Sequence, residues 1–446
     1  MDILTTIKYI NLAVAVLFCS CYAYQIFYIL LPFFIKKHTF LPVKYYRYAI
    51  LIAARNEEAV LPHLLERIRK QDYPQTLIDV FVVADNCTDR TADAAALCGA
   101  RVYRRFHDTR IGKGYALEYL IQNIQGDYGT QYFDGYFVFD ADNLLAENYI
   151  SEMNKVFSDG FRIVTSYRNS KNYGDNWISA GYALWFLRES KYLNQARMAL
   201  GTSCAVSGTG FLFGKDILRN CGGWKFHLLT EDIEFTIHNV VNGEKIGYCC
   251  SAVLYDEQPV KFSQSWRQRR RWTRGYLQVF RKYGKPLVRG VFRRNGFSCF
   301  DMGMTILPAF VLSSCGLAAN LLLGAAGIFQ GGQMHSFLTA AVTSFFSSYL
   351  FLFGLGLIAV ITEWKRIYAE NYKKVFSLFT FPFFMMTYVP ISIAAMFCSV
   401  EWKPIEHRAA VTLEEVTHTN LAIKVGADPL IANGGAHNGA DDPGSR

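Results

Sequence analysis

Charge is missing from long stretches of this chain. Between Tyr9 and Phe34 there is no Asp, Glu, Lys or Arg, a run about long enough to cross a hydrocarbon core of roughly 30 Å. The run also lacks what a cleaved signal peptide needs: it has no basic segment beyond Lys8, and it ends in Pro32 and bulky aromatics where a small-residue cleavage site would stand. Regular cysteine spacing is missing as well. The 11 cysteines form an odd set that fits a reduced cytoplasmic compartment better than a disulfide framework. Cys249 and Cys250 are adjacent, and Cys19 and Cys21 lie inside the apolar run, so neither pair has the spacing of a zinc site. Internal repeats are absent. No recognised nucleic-acid-binding module accompanies the basic residues, which argues against a nucleic-acid partner.

What is present is apolar and clustered. Of 446 residues, 51% are hydrophobic, which leaves room for one large soluble domain and several membrane spans. Three further stretches, at about Met302–Phe329, Ser336–Thr362 and Val375–Val400, are each long enough to span. Lys36, Lys37, Lys44 and Arg47 crowd the end of the first run, and Lys365, Arg366, Lys373 and Lys374 fill the loop between the last two stretches. The loop at Gln330–His335 has no Lys or Arg. This asymmetry predicts a multi-pass protein of the cell membrane with its N-terminus outside and its large domain in the cytoplasm. Pro382 and Pro390 interrupt the final stretch, so a bent, re-entrant or interfacial segment is the alternative to a full span. The net charge of +9 concentrates at Arg267–Arg294, just before the second stretch, where anionic lipid headgroups would meet it. The predicted organisation is an N-terminal transmembrane helix over 1–35, a cytoplasmic catalytic domain over 36–262 and interfacial helices over 263–296. A transmembrane region over 297–400 and a polar, disordered tail over 401–446 complete it.

Between about Arg47 and Ser265 strand and helix patterns alternate, as in a nucleotide-binding α/β domain with a mixed, mainly parallel sheet. Three apolar runs end in polar turns: Tyr48–Ala54 before Arg55 and Glu57, Asp79–Ala84 before Asp85, and Gly135–Phe139 before Asp140. Open α/β sheets bind ligands at such strand ends. Ala53 and Ala54 leave room for a flat base, Arg55 and Glu57 edge it, and Asp85 can meet the base or ribose; capping of the next helix is the alternative for Asp85. Lys113, between Gly112 and Gly114, can reach a phosphate or the base. Asp140 and Asp142, one residue apart, can aim two carboxylates at one divalent cation, Mg2+ or Mn2+, that neutralises a departing nucleoside diphosphate; a pair of turn aspartates is the plainer reading.

Thr230, Glu231 and Asp232 open a helix. Either Thr230 caps it, or Asp232 is a general base that takes a proton from an acceptor hydroxyl. One base and one metal-held leaving group suffice for a single inverting displacement. Gln268, Arg271 and Trp272 fall within one and a half helical turns, so one helix can offer guanidinium to a diphosphate and indole to a sugar ring. Anchoring at the membrane interface is the other reading of that pair. From Tyr276 onward the pattern reads as an interfacial amphipathic helix.

In this order and spacing the motifs resemble those of the membrane-embedded family-2 glycosyltransferases, the group of cellulose, chitin, hyaluronan and poly-N-acetylglucosamine synthases. The resemblance covers roughly Tyr48–Gly275 by motif. It implies a GT-A fold, a UDP-sugar donor, magnesium or manganese, and inversion at the anomeric carbon. It assigns Asp85 to the nucleotide, Asp140 and Asp142 to diphosphate and metal, Asp232 with Glu231 to the acceptor end, and Gln268, Arg271 and Trp272 to diphosphate and acceptor. Ser207–Phe211, containing Gly208, Thr209 and Gly210, falls where the family has an acceptor-contacting loop, although the Phe-Phe-Cys-Gly-Ser pattern of cellulose synthases and an appended cyclic-dinucleotide module are both lacking. Processive synthesis of a β-linked polysaccharide coupled to export is the leading expectation. Four spans make a thin channel wall, so a partner subunit or oligomer would complete it. Transfer of one sugar to a membrane lipid is the alternative, and a non-catalytic transporter or scaffold is the alternative of another class.

Overall fold

The computed structural model describes residues 3–34, 43–306, 334–398, 400 and 411–417. The first apolar run folds as two helices, α1 (Ile3–Tyr22) and α2 (Tyr24–Leu30), with a 44° bend between them. The bend coincides with two hydroxyls of α2, those of Tyr24 and Tyr28, bonding the carboxylate of Asp301.

A single eight-stranded sheet follows: β1 (Tyr48–Ala54), β2 (Ile78–Asp85), β3 (Arg101–Arg105), β4 (Gly135–Asp140), β5 (Leu144–Leu145), β6 (Ile163–Ser170), β7 (Phe211–Gly214) and β8 (Ile246–Asp256). Its spatial order is β3-β2-β1-β4-β7-β6-β8-β5. The pairs β1–β2, β1–β4, β2–β3 and β6–β8 are parallel, while β7 runs antiparallel to both of its neighbours and β5 runs antiparallel to β8. This is the mixed, mainly parallel sheet read from the sequence. Strands such as Tyr-Ala-Ile-Leu-Ile-Ala-Ala are apolar throughout because both faces are covered. Side chains alternate across the pleat, so Leu51 packs with Phe81, Leu117 and Ile121 on one face, and Ile50 and Ile52 pack with Leu64, Phe137 and Met153 on the other.

The covering helices are α3 (Leu61–Arg69), α4 (Thr91–Leu97), α5 (Lys113–Tyr128), α6 (Tyr149–Ser158) and α7 (Trp177–Arg188). A π-helical turn, Glu189–Asn194, joins α7 to α8 (Gln195–Ala199), and α9 (Lys215–Asn220) and α10 (Glu231–Val241) follow. Gln268, Arg271 and Trp272 do share one helix, α11, a continuous 30-residue element from Phe262 to Val291 that packs against α10 and α12 (Gly296–Ile306).

Next come α13 (Met334–Glu363), α14 (Asn371–Met386) and α15 (Tyr388–Phe397). Among the described residues, Ala341–Glu363 and Asn371–Phe397 are long and apolar enough to cross a membrane, and the bent α1–α2 pair makes a third if it forms one span. The stretch expected at Met302–Phe329 lies outside the described residues beyond Ile306, as does most of the tail. In the last apolar stretch the interruption falls at Thr387. Pro390 has no N–H for the carbonyl of Met386, whereas Pro382 sits within α14.

Candidate active site

Parallel strands in register end together. Ala53 is level with Asp140 and Ala54 with Ala84, so the turns after β1, β2 and β4 share one edge of the sheet. Two of these turns begin at asparagines with positive φ, Asn56 at 58° and Asn86 at 51°, a conformation that short polar side chains tolerate. Asn56 Oδ1 accepts a 2.8 Å hydrogen bond from the Thr88 N–H and ties the two turns together. Asp85 caps no helix. It ends β2 in a buried ion pair with Arg105, which also donates to the Arg110 carbonyl at 2.6 Å. Burial raises the Asp85 carboxyl above its usual range, and Arg105 opposes that rise.

Asp140 ends β4. Its N–H donates to Thr209 Oγ1 (2.9 Å) and Asn143 Oδ1 (3.1 Å), and its carboxylate is paired with Lys113, whose Nζ also donates to the Gly208 carbonyl at 2.9 Å. Gly114 lets the start of α5 pack against the segment at Phe226 and His227 that precedes α10, because a Cβ there would lie 2.1 Å from the Phe226 carbonyl oxygen. Asp142 is buried and accepts from the Glu257 N–H at 2.8 Å. Nearby Asp256, at the end of β8, is paired with Arg168. Burial pushes Asp256 up to about 6, with Arg168 pulling it down and Asp142 pushing it up.

Glu231 and Asp232 start α10, where a helix N-terminus favours negative charge. Thr230 makes no side-chain cap bond, so capping does not account for this motif. Asp232 Oδ2 accepts from the Gly208 N–H at 2.6 Å. Burial, then Asp232, pushes Glu231 up to about 7, and burial raises Asp232 against the Ile233 and Gly208 amides. Arg271 donates to the Leu229 carbonyl at 2.8 Å, which fixes α11 to the turn before α10. Trp272 packs edge-on against Tyr182 and Phe186.

One cavity of about 1520 Å³ gathers nearly all of these groups. Ala53, Arg55, Glu57, Asp85, Lys113, Asp140, Asp142, Gly208, Glu231, Asp232, Gln268, Arg271 and Trp272 all line it. Thr209 and Gly210 do not. Thr209 sits behind the wall and buttresses the Asp140 turn through Asn143, while Gly210, at φ +67°, is pressed against Leu254. Sequence reasoning missed Arg168, Glu189, Asp256 and Tyr276, which also line the cavity. Asp256 ends its strand as Asp85 and Asp140 end theirs, so the same rule would have found it. Arg168 lies within a strand, and Glu189 and Tyr276 within helical segments, where no local pattern marks them.

Among the described residues, no group of three or more His, Cys, Asp or Glu side chains is arranged to hold a metal alone. The donor set still suits a small divalent ion. Asp140 and Asp142 supply two hard oxygen-bearing groups, the number such an ion usually takes from protein when water and phosphate oxygens complete its shell. Asp140 already attracts a cation in the form of the Lys113 ammonium.

A mixed sheet with acidic strand ends around one cavity, joined to apolar helices, defines a GT-A domain associated with membrane-length helices. The chain matches the model of the glycosyltransferase-like family 2 over residues 46–275, and it belongs to that family. It is 26% identical over 283 residues to a β-monoglucosyldiacylglycerol synthase of Nostoc sp., covering 60% of this chain and 57% of that protein. It is 22% identical over 245 residues to the poly-β-1,6-N-acetyl-D-glucosamine synthase of Staphylococcus epidermidis, covering 54% of this chain and 57% of that one. The chain thus spans little more than half the length of these relatives. A mannosyltransferase from Pyrobaculum calidifontis, solved with GDP-mannose and Mn2+, shares the fold with a TM-score of 0.57 at 15% identity, over 88% of this chain and 99% of that one.

Proposed function

We propose that this protein transfers one hexose or N-acetylhexosamine from a UDP-sugar, with inversion, to a hydroxyl of a membrane lipid. The observation that carries the reading is the continuity of the cavity. It runs from the strand-end carboxylates past Asp232 to side chains of the membrane helices, including Phe18 and Tyr22 of α1, Ser344 and Phe351 of α13, and Val389 of α15. A hydroxyl carried on acyl chains could reach Asp232 along that path without leaving the bilayer. The name of the Nostoc relative, a synthase of a monoglucosyl lipid, supports the same order of preference. The sequence ranks processive polymer synthesis first; the cavity and this relative support the lipid acceptor instead. The catalytic domain is cytoplasmic in this reading, with the N-terminus outside and several passes through the cell membrane.

In this mechanism Ala53, Arg55, Glu57 and Asp85 hold the base and ribose. Lys113, Gln268 and Arg271 neutralise and orient the diphosphate. Asp140 and Asp142 would hold Mg2+ or Mn2+, which supplies charge neutralisation at the leaving diphosphate. Gly208 and Trp272 border the acceptor, and Asp232, held by the Gly208 amide, takes the acceptor proton as the hydroxyl attacks the anomeric carbon.

The test is incorporation by the purified full chain from a panel of labelled UDP- and GDP-sugars into bilayer lipids, followed by product sizing. A lipid carrying one sugar, lost with EDTA and restored by Mg2+ or Mn2+, is the expected result. A long hydrolase-sensitive polymer would overturn the lipid reading, and turnover undiminished by EDTA would overturn the metal.

The acid pair also sets a pH dependence. A carboxyl held above its usual range keeps its proton at low pH, and a protonated base cannot accept another. kcat/KM should therefore begin to fall above the ordinary carboxylate range as pH drops, because burial raises both members of the pair, Asp232 included. Glu231→Gln should move that limb to lower pH by removing the neighbouring negative charge. A profile flat from pH 5 to 8 in both proteins would show that this pair does not titrate during turnover.

A further inference from the structure

We infer that α14–α15 enters the membrane without crossing it, and that the chain beyond it returns to the side of the catalytic domain, where Val411–Thr417 docks at the edge of the sheet. Composition alone admits this element as a span, since Asn371–Phe397 is long and apolar enough. Its two ends decide otherwise.

The start of α14 is held on the catalytic domain. Glu363, at the end of α13, accepts from the Tyr167 hydroxyl of β6 and pairs with Lys191 of the π-helical turn at 3.1 Å. Asn169 of β6 donates to the Arg366 carbonyl at 2.9 Å, and the Tyr173 hydroxyl bonds that of Ser377 within α14. The middle stays close as well. Arg269 of α11, fully buried, donates to the Phe384 carbonyl at 3.1 Å and to Thr387 Oγ1 at 2.7 Å, where α14 gives way to α15. From there α15 packs along α11, the helix that carries Gln268 and Arg271 into the active-site cavity.

The far end is fixed by the tail. Val416, 5% exposed, packs on Leu144 of β5 and Tyr255 of β8, which are register partners, with Val411 and Leu413 beside it. Glu414 pairs with Arg67 of α3 at 3.1 Å, and Arg67 also donates to the Leu145 carbonyl. β5 is an edge strand, and edges are protected when another segment covers them. Tyr255 precedes Asp256 and Leu144 follows Asp142 by two residues, so the tail braces the strand pair that adjoins both carboxylates. The 13 residues 398–410 connect Phe397 to Val411 and carry charges at Glu401, Lys403, Glu406 and Arg408. They are too few and too polar for a helical span, and an extended crossing would leave their backbone groups unpaired in hydrocarbon. Phe397 and Val411 therefore share a side. Whatever route residues 307–333 take, α14–α15 begins and ends beside the catalytic domain. For lipid it offers one exposed stripe, Tyr372, Phe376, Phe379 and Phe383, while Ser377, Phe381 and Phe384 are buried.

Naming that side rests on the reading above of a cytoplasmic catalytic domain, and the experiment separates the two. The full chain is labelled with a membrane-impermeant amine reagent, once in intact cells and once in inverted membrane vesicles, and modified lysines are read by peptide mass spectrometry. Lys70 of α3, its side chain 52% exposed, reports the catalytic domain, and Lys424 reports the tail. Both lysines should be modified in inverted vesicles and protected in intact cells. Modification of Lys424 in intact cells with Lys70 protected would show that α14–α15 crosses, and would overturn the inference while leaving the catalytic domain cytoplasmic. Modification of both lysines in intact cells would overturn the cytoplasmic reading and uphold the shared side.

Discussion

Asp232→Asn should abolish sugar transfer while leaving donor binding and the fold intact. The side chain sits at the N-terminus of α10, inside the cavity, with Oδ2 on the Gly208 amide at 2.6 Å. Asparagine has the same shape and can keep that hydrogen bond through its carbonyl oxygen, so the loop stays in place. What it cannot do is take a proton. A positioned general base contributes about 10²- to 10⁴-fold, and the loss should fall in kcat, with the UDP-sugar KM little affected. Glu231→Gln should cost less, because the neighbouring base survives. Transfer by Asp232→Asn within tenfold of wild type would assign the proton to another group, and full activity of Asp140→Asn as well would favour the transporter or scaffold reading over catalysis. Single-turnover transfer with labelled donor, read beside UDP binding, separates these outcomes.

The sheet was legible because its signals are local. Apolar runs ending in Arg55, Asp85 and Asp140 announce buried strands and the edge where they stop, and the parallel register places those ends side by side. The helix of Gln268, Arg271 and Trp272 was legible from spacing for the same reason. What the sequence hid depends on contacts between distant residues. Arg168 and Asp256 are 88 positions apart, and the pairing of Lys113 with Asp140 turns a short glycine-flanked motif into part of the acidic centre. The bend between α1 and α2 was also invisible. No proline marks Ala23, and the groups that hold α2, Tyr24 and Tyr28, reach a carboxylate more than 270 residues away. Thr209 and Gly210 show the opposite limit, since a motif can point to a loop without saying which of its residues line the cavity.

That distant carboxylate is the second place where one substitution should have a large effect. Asp301 of α12 receives Arg197 through Nε at 2.7 Å and Nη2 at 2.9 Å, and the hydroxyls of Tyr24 and Tyr28 at 2.7 and 2.9 Å. Side-chain exposure is 1% for Arg197 and 0% for Asp301, so neither charge has water to fall back on. The cluster joins three parts of the chain: α8 beside the sheet, α2 at the bend, and α12. Asp301→Asn leaves a buried guanidinium without its counter-charge and should destabilise the protein by about 3–5 kcal/mol, the range for breaking such a pair from one side. Replacing both partners with apolar residues, Arg197→Met with Asp301→Leu, removes the desolvation penalty along with the attraction and should recover much of that loss. Thermal unfolding of the detergent-purified proteins would rank them wild type, then the double variant, then Asp301→Asn. If Asp301→Asn unfolds at the wild-type temperature, the cluster is not what holds α2 against the catalytic domain. If the single variant is destabilised as expected, its acceptor KM should rise too, because Tyr22 and Gln25, on either side of the bend, form part of the cavity wall along which the lipid would approach.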